Sequence, residues 1–341
     1  MDLDLSADQE ELRDGIRSLL AGRFPMARVR GGFEPAMFRE LGDAGVFAIQ
    51  LAEPDGGLGL GTADSVVVFE ELGRALVPGP LVWTHLAATA GMVPGAAGGT
   101  RVVGGIPEPE PGEAVVLEDL AALDVLLVSG TTGVAAVDPG VLTGVTSDWP
   151  LDPVTPVTEV AGVPDGEPVA GPNVGFWCRL QGATLTAAFL LGMADAVTGL
   201  AVAYAQERRQ FDRPIGSFQA VKHLLADCVT RTEVARAAVY AAGVRLDEPI
   251  SVNLAIDPLG AGAPGSPPDV GRAVSVAKLL AGEAALANAK TATQVFGGMG
   301  FTWEVDVHLY LKRAWVLDTH FGSVDDHADA IADSLPHAPG P

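Results

Sequence analysis

Cysteine, lysine and aromatic side chains are all scarce in this 341-residue sequence. Cys178 and Cys228 stand far apart with no CxxC spacing, which excludes a disulfide framework and fits a reducing, cytoplasmic setting. Only four lysines occur (222, 278, 290 and 312), so Arg carries nearly all of the positive charge. Lys+Arg 21 against Asp+Glu 43 leaves a net charge of -22. A chain this acidic repels phosphate backbones and anionic lipid headgroups, which excludes nucleic-acid partners and membrane-surface binding. An unbroken apolar run of the ~20 residues that a spanning helix needs is also missing. The best candidate, 180–205, is interrupted by Asp195 and closes on Glu207-Arg208-Arg209, so a buried core helix is expected there and no membrane insertion. No basic stretch followed by an apolar one opens the sequence, so no signal peptide is expected. Hydrophobic residues make up 48% but aromatics only 6%, so the core must be built from Ala, Val and Leu, which favours closely packed helices.

The length suggests two to three domains at roughly 150 residues each, and the pattern divides into three segments. Residues 1–97 read as a helical domain. Ser6 and Gln9 form a capping-box pattern ahead of Leu12, Ile16, Leu19 and Leu20 at helical spacing. A second helix is expected from Pro35 with Phe38 and Leu41. A third is expected from Thr62, with Val66, Phe69, Leu72 and Leu76 on one face. Residues 98–178 read as a small, degenerate antiparallel β domain. Runs at Ala114–Leu117, Val125–Val128, Gly133–Val137 and Val157–Val160 alternate there with Pro, Gly and Asp. Its stretch 101–175 holds one Arg and twelve acids, half of the net charge. Residues 179–341 read as a helical bundle, with helices near 183–210, 217–244, 270–296 and 304–320 and a short one after Asp325. The Pro-rich stretch Asp257–Asp269 reads as a loop.

Two motifs stand out in the last segment. Glu207-Arg208-Arg209-Gln210-Phe211-Asp212-Arg213-Pro214-Ile215-Gly216-Ser217-Phe218-Gln219 is a basic helix end, a tight turn, and an aromatic with an amide opening the next helix. Arginine forks suit a pyrophosphate, and Phe211 or Phe218 can shield an aromatic ring; equally, Arg208 and Arg209 can simply complement a helix C-terminus. Gln294-Val295-Phe296-Gly297-Gly298-Met299-Gly300 joins two helices. Its glycines allow a ligand close to the backbone, or serve as an ordinary helix C-cap. It follows a helix and lacks GxGxxG, so a Rossmann reading fails.

In this order, about 85 residues apart on a helix–strand–helix plan, the two motifs resemble the acyl-CoA dehydrogenase family. So do Leu41-Gly42, Gly56-Gly57-Leu58-Gly59-Leu60 and Glu70-Glu71-Leu72-Gly73, so the resemblance covers nearly the whole chain. It implies a mainly α fold with a helical N-domain, an antiparallel β middle domain and a C-terminal four-helix bundle. It also implies FAD as cofactor, α,β-desaturation of a CoA thioester, and electron-transfer flavoprotein as acceptor. By position, Arg208 would hold the pyrophosphate beside Gln210 and Phe211 of a flavin seated mainly in a neighbouring subunit. Phe218, Gln219, Gln294, Gly297 and Gly298 would complete the adenosine end.

The sequence departs from the family at its base. The family carries a catalytic glutamate either after the last bundle helix or on the first one. Phe321 and Gly182 occupy these two positions here, so no catalytic residue is assigned. The family's own-subunit flavin motifs are not recognisable between Arg101 and Val174. The resemblance extends to actinobacterial α2β2 assemblies in which only one subunit type carries the glutamate, associated with bulky CoA esters such as steroid side chains. It therefore implies a partner subunit with the glutamate, on which the acyl-CoA mainly docks. Two alternatives stand: an active homo-oligomer with Asp318 or Glu304 as substitute base, although Glu304 is expected to cap its helix, and a scaffold that no longer touches flavin. His320, Asp325, Asp326, His327 and Asp329 match no standard metal-ligand spacing and read as an acidic helix start, with no metal expected.

Overall fold

Ser6 opens the first helix by the reciprocal capping its sequence encodes. The Gln9 amide N–H donates to Ser6 Oγ at 3.2 Å, and the Ser6 N–H donates to Gln9 Oε1 at 3.1 Å. In this computed structural model, which describes residues 4–110, 112–248 and 268–335, helices α1 (Ala7–Arg23), α2 (Met26–Val29), α3 (Pro35–Asp43), α4 (Thr62–Arg74) and α5 (Leu81–Thr89) come first. Strands β1 (Val103–Pro107), β2 (Val115–Glu118), β3 (Val125–Gly130), β4 (Gly133–Val137), β5 (Gly144–Thr146), β6 (Val157–Val160) and β7 (Glu167–Ala170) follow. Then come α6 (Pro172–Glu207), a hairpin of β8 (Arg209–Gln210) and β9 (Arg213–Pro214), α7 (Gln219–Asp247), α8 (Pro268–Phe296), α9 (Val307–Leu317) and α10 (Val324–Asp333). The mainly α fold with a small β region is as expected. The expected loop at 257–269 lies outside the described residues as far as 267, and Pro268 already opens α8.

Two compact units make up the chain. One comprises residues 1–26, 66–77 and 183–341. Within it α4 and α6 touch backbone to backbone, because each presents a glycine. A Cβ on Gly73 would sit 1.9 Å from the Phe189 carbonyl oxygen, and one on Gly192 would sit 1.8 Å from that of Glu70. Buried Glu70 and Glu71 are matched by cations from three helices. Arg17 donates to both Glu71 oxygens, at 2.6 and 2.9 Å, Arg236 pairs with Glu70, and Arg74 pairs with Glu71 at 3.3 Å and also with Asp195. The Tyr240 hydroxyl donates to Glu70 at 2.8 Å. Asn288 ties α8 to its neighbours, its amide donating to Thr198 Oγ1, the Cys228 carbonyl and Thr232 Oγ1 at 2.9–3.1 Å. Along α7 the seam Leu225, Cys228, Thr232, Ala235 and Val239 is buried, whereas Leu224 at its edge stays exposed.

The other unit comprises residues 27–65 and 78–182. It holds a four-stranded sheet ordered β1-β3-β4-β7 and a three-stranded sheet ordered β2-β6-β5. All their pairings are antiparallel except β1–β3, which runs parallel with Val103 opposite Val125. Leu117, Leu126, Val137 and Val160 form the core of this region. The four expected β runs correspond to β2, β3, β4 and β6, whereas β1, β5 and β7 were not legible.

Two helix boundaries differ from expectation. α6 begins at Pro172, whose fixed φ suits a first helical position, so the 178/179 boundary falls inside a helix. α4 ends at Arg74, and Leu76 lies beyond it with φ +54°, still fully buried. By length and composition α6 could span a membrane, but 72% of its most apolar window is buried.

Candidate functional site

The end of α6 and the end of α8 meet at one cavity of about 480 Å³. Its wall is made by Tyr204, Arg208, Gln210 and Ile215 from the first motif region and by Val295, Phe296, Gly297, Gly298 and Met299 from the second. Tyr204 lies one helical turn before Arg208 and stacks on Phe296, with ring centroids 4.1 Å apart and planes at 13°. The stack forms a flat apolar wall beside an arginine fork.

Local chain geometry presents the arginine. The Arg208 N–H ends α6 on the Tyr204 carbonyl at 2.8 Å, and the Arg208 carbonyl accepts from Ile215 N–H at 2.8 Å. Between these bonds the chain makes a two-residue hairpin with Gln210 opposite Arg213. Phe211 and Asp212 at its tip both take positive φ, +51° and +63°. That is the handedness a tight hairpin demands and one that side-chain-bearing residues adopt at a cost. Arg209 steadies the tip by donating to the Asp212 carbonyl at 2.6 Å. Arg213 stacks its guanidinium 4.0 Å above the Phe218 ring.

Of the residues singled out by sequence, Arg208, Gln210, Gly297 and Gly298 are brought together on the cavity wall. Phe211 (86% exposed) sits at the hairpin tip, Gln219 and Gln294 are exposed to solvent, and Phe218 is engaged by Arg213; none of these lines the cavity. The sequence reading missed Tyr204, Ile215, Val295, Phe296 and Met299. The helical spacing of Tyr204 from Arg208 was the signal available for one of them.

The wall fits the pyrophosphate and ring of a dinucleotide. Gly297 has φ +63°, which by itself explains a glycine. Gly298 has no such conformation, and a Cβ there would meet nothing within 4 Å among the described residues. Its missing side chain leaves room at the cavity mouth that the protein does not fill, beside a guanidinium able to pair with phosphate.

The turn where the family's glutamate would stand is locked from within. Lys278 on α8, only 2% exposed, donates from Nζ to the carbonyls of Asp318 at 2.8 Å and Gly322 at 3.4 Å. His327 on α10 lies 3.1 Å from the Phe321 carbonyl through Nε2 and 3.1 Å from Ser275 Oγ through Nδ1. The network assigns Nε2 as donor and the serine hydroxyl as donor to Nδ1, the neutral tautomer. Burial pushes His327 down to about 4, aided by the charge of Lys278. Burial likewise pushes Lys278 down to about 8, against the opposing pull of Asp318. Phe321 itself takes φ +55°. Gly182, the other position, is buried on α6.

Neither substitute base is well placed. Asp318 Oδ1 is buried against α8, where a Cβ on Gly282 would lie 2.4 Å from it, and it has no hydrogen-bond partner among the described residues. Glu304 does not cap a helix as expected: α9 starts at Val307 behind Asp306, leaving Glu304 exposed in the preceding turn. Near the acidic start of α10, Ser323 and Asp326 form a capping box, which accounts for Asp326 in that position.

Comparison with known proteins places these features. Residues 6–100 match the acyl-CoA dehydrogenase N-terminal domain family and residues 180–335 the acyl-CoA dehydrogenase C-terminal domain family. The chain is 33% identical over 327 residues to acyl-CoA dehydrogenase IpdE2 of Mycobacterium tuberculosis, covering 90% of this chain and 91% of that protein. It is 34% identical over 344 residues to acyl-CoA dehydrogenase FadE34 of the same organism, but spans only 45% of that longer protein. Among solved structures, the ChsE4–ChsE5 complex from M. tuberculosis superposes with a TM-score of 0.80 at 22% identity, covering 100% of both chains. The steroid acyl-CoA dehydrogenase Tcur3481–Tcur3483 G363A variant gives 0.79 at 24% identity, covering 96% of this chain and 97% of that one. At those identities the two structures establish the shared fold.

Proposed function

This chain belongs to the acyl-CoA dehydrogenase family, an oxidoreductase family of flavoproteins, and from that premise we propose that it is the base-lacking subunit of a heteromeric acyl-CoA dehydrogenase. It lends its cavity wall to an FAD seated mainly in a homologous partner that carries the catalytic glutamate. The observation that carries this reading is the asymmetry between two places in the same unit. The cavity keeps Arg208, Gln210, Gly297 and Gly298, while Phe321 stands where a carboxylate is required.

The chemistry that a bound FAD would supply is a hydride acceptor for the acyl β-carbon. This chain's residues would hold the cofactor: Arg208 would pair with the pyrophosphate, the Tyr204–Phe296 stack would offer an apolar wall, and Gly298 would leave space for close approach. What the chain lacks is a group to take the α-proton. A positioned general base is worth roughly 10²–10⁴-fold, about 3–5 kcal/mol of barrier, so this subunit alone would be a poor dehydrogenase. The acyl-CoA is assigned mainly to the partner, because the 101–175 stretch, with one Arg and twelve acids, is a poor surface for a polyanionic thioester. The steroid acyl-CoA dehydrogenase named among the structural neighbours is in keeping with bulky or steroid side-chain CoA esters as substrates, the reading that the sequence resemblance implies. Electron-transfer flavoprotein as acceptor and a cytoplasmic location complete the reading.

Co-expression with a glutamate-carrying acyl-CoA dehydrogenase tests it. The expected result is a mixed assembly whose flavin content falls several-fold with Arg208→Ala in this chain. A lone chain that binds a full complement of FAD and turns over acyl-CoA would overturn it. Flavin content unchanged by Arg208→Ala would favour the scaffold alternative.

A further inference from the structure

The sheet β2-β6-β5 buries one face and leaves the other bare. Leu117 on its inner face packs into the core. On the outer face the register sets three residues in a row, since Val116 lies opposite Glu159 and Glu159 opposite Val145. Residues paired across antiparallel strands share a face, so the row is one apolar–acidic–apolar strip. Val116 is 58% exposed and Val145 77%. Just past β5, Trp149 is 91% exposed and Leu151 follows it, while Val141 stands exposed just before β5. The Trp149 N–H is fixed to Ser147 Oγ at 3.2 Å, so the indole is carried on a tied turn.

Apolar surface gathered in this way is a mark of an interaction site, and tryptophan is among the side chains that most often anchor one. The charge around it selects the occupant. Residues 102 to 178 contain no Lys, Arg or His, while Glu159 lies inside the strip and Asp148 adjoins Trp149. A membrane, a nucleic acid or a nucleotide would meet only like charge here. A second copy of this chain would set acids against acids. A protein surface that interleaves apolar residues with Lys or Arg would bury the valines and the indole and pair the acids. None of the residues named here belongs to the cavity wall around Arg208.

We propose that the outer face of β2-β6-β5, with Trp149, is the docking surface for a further protein whose contact patch is apolar and basic, distinct from the subunit that shares the flavin. The test uses the full-length chain, alone and in complex with a glutamate-carrying subunit, titrated with a synthetic peptide of alternating Leu and Lys. Binding is read by tryptophan emission and by hydrogen exchange. The expected result is saturable binding that protects 115–118 and 141–151. It weakens at least tenfold in the double variant Val145→Ser, Trp149→Ala, and weakens with Glu159→Gln and with added salt. The same peptide with Glu in place of Lys does not bind. Protection elsewhere, equal binding by parent and double variant, or equal binding of the Glu peptide would overturn the proposal. So would a Trp149 already shielded from acrylamide quenching in the two-subunit complex, which would assign this face to the flavin-sharing partner and leave the flavin reading intact. The substituted side chains are exposed, so an unchanged melting temperature shows that a lost signal is lost binding.

Discussion

Gly298 separates folding from ligand binding more sharply than any other residue of the cavity wall. With none of the described residues within 4 Å of where its Cβ would stand, Gly298→Leu is expected to change stability by no more than about 0.5 kcal/mol, measured by urea denaturation. The same substitution is expected to lower flavin content in the two-subunit assembly as far as Arg208→Ala does. His327 and His85 behave differently, because both are buried and held neutral, each pushed down to about 4 from 6.5. The unfolded chain takes up a proton at each site more readily than the folded one. Their contribution is therefore complete above pH 6.5 and is lost as pH falls towards 4, on the order of 2–3 kcal/mol per histidine at most. Urea midpoints measured from pH 7 to pH 4.5 should fall accordingly, and His327→Gln, which cannot titrate, should flatten that slope. Lys278 acts with the same sign in a higher window: lowered to about 8, its buried charge is a burden relieved as pH rises from 8 towards 10.5.

At the scale of elements, the contact of α4 with α6 depends on having no side chain at two places. Gly192→Ala would drive a methyl into the Glu70 carbonyl oxygen, a clash with backbone that no rotamer relieves, so a loss of about 1–3 kcal/mol or more is expected in the urea midpoint. Glu70→Gln keeps the shape but takes the charge from the most buried of Arg236's partners, leaving it Asp195 at 3.6 Å and Glu233 at 3.3 Å, and about 1–3 kcal/mol is expected there. The starts of α1, α3 and α4 were legible because capping residues, Pro35 and a 3.6-residue apolar rhythm are local signals. β1 was not legible, because its Val-Gly-Gly-Ile-Pro sequence is poor in strand formers. It pairs with β3, and its Gly105 lets the Trp83 ring lie against the backbone, with ring atoms 2.3–2.6 Å from where a Cβ would be. The exposed, three-residue β5 gave no alternating pattern to read.

For the whole molecule, the proposed division of labour between subunits makes a prediction that a single-chain enzyme would not obey. Restoring a carboxylate with Phe321→Glu should give no turnover by the lone chain. The turn is held by Lys278 and His327 around a residue in the left-handed conformation, which leaves a new carboxylate no freedom to reach a substrate. In the mixed assembly, changing the partner's glutamate to Gln should lower kcat by the 10²–10⁴-fold that a general base provides. Turnover by the lone Phe321→Glu chain would restore the homo-oligomer as the better description.

The residues alone determined the helix–strand–helix order, the acidic character of the β region and the two ligand-type motifs, because each is a matter of which residue stands where. Tertiary structure decided which motif residues share one wall. Arg208 and Gly298 meet, whereas Phe211 and Gln219, their neighbours in sequence, do not reach that wall. It also decided the buried clamp on the 318–322 turn and the bare strip of Val116, Glu159 and Val145. Such placements depend on strand register and on helices packing through glycines and alanines. Those long-range pairings are set by the whole core, and a local stretch of sequence does not carry them.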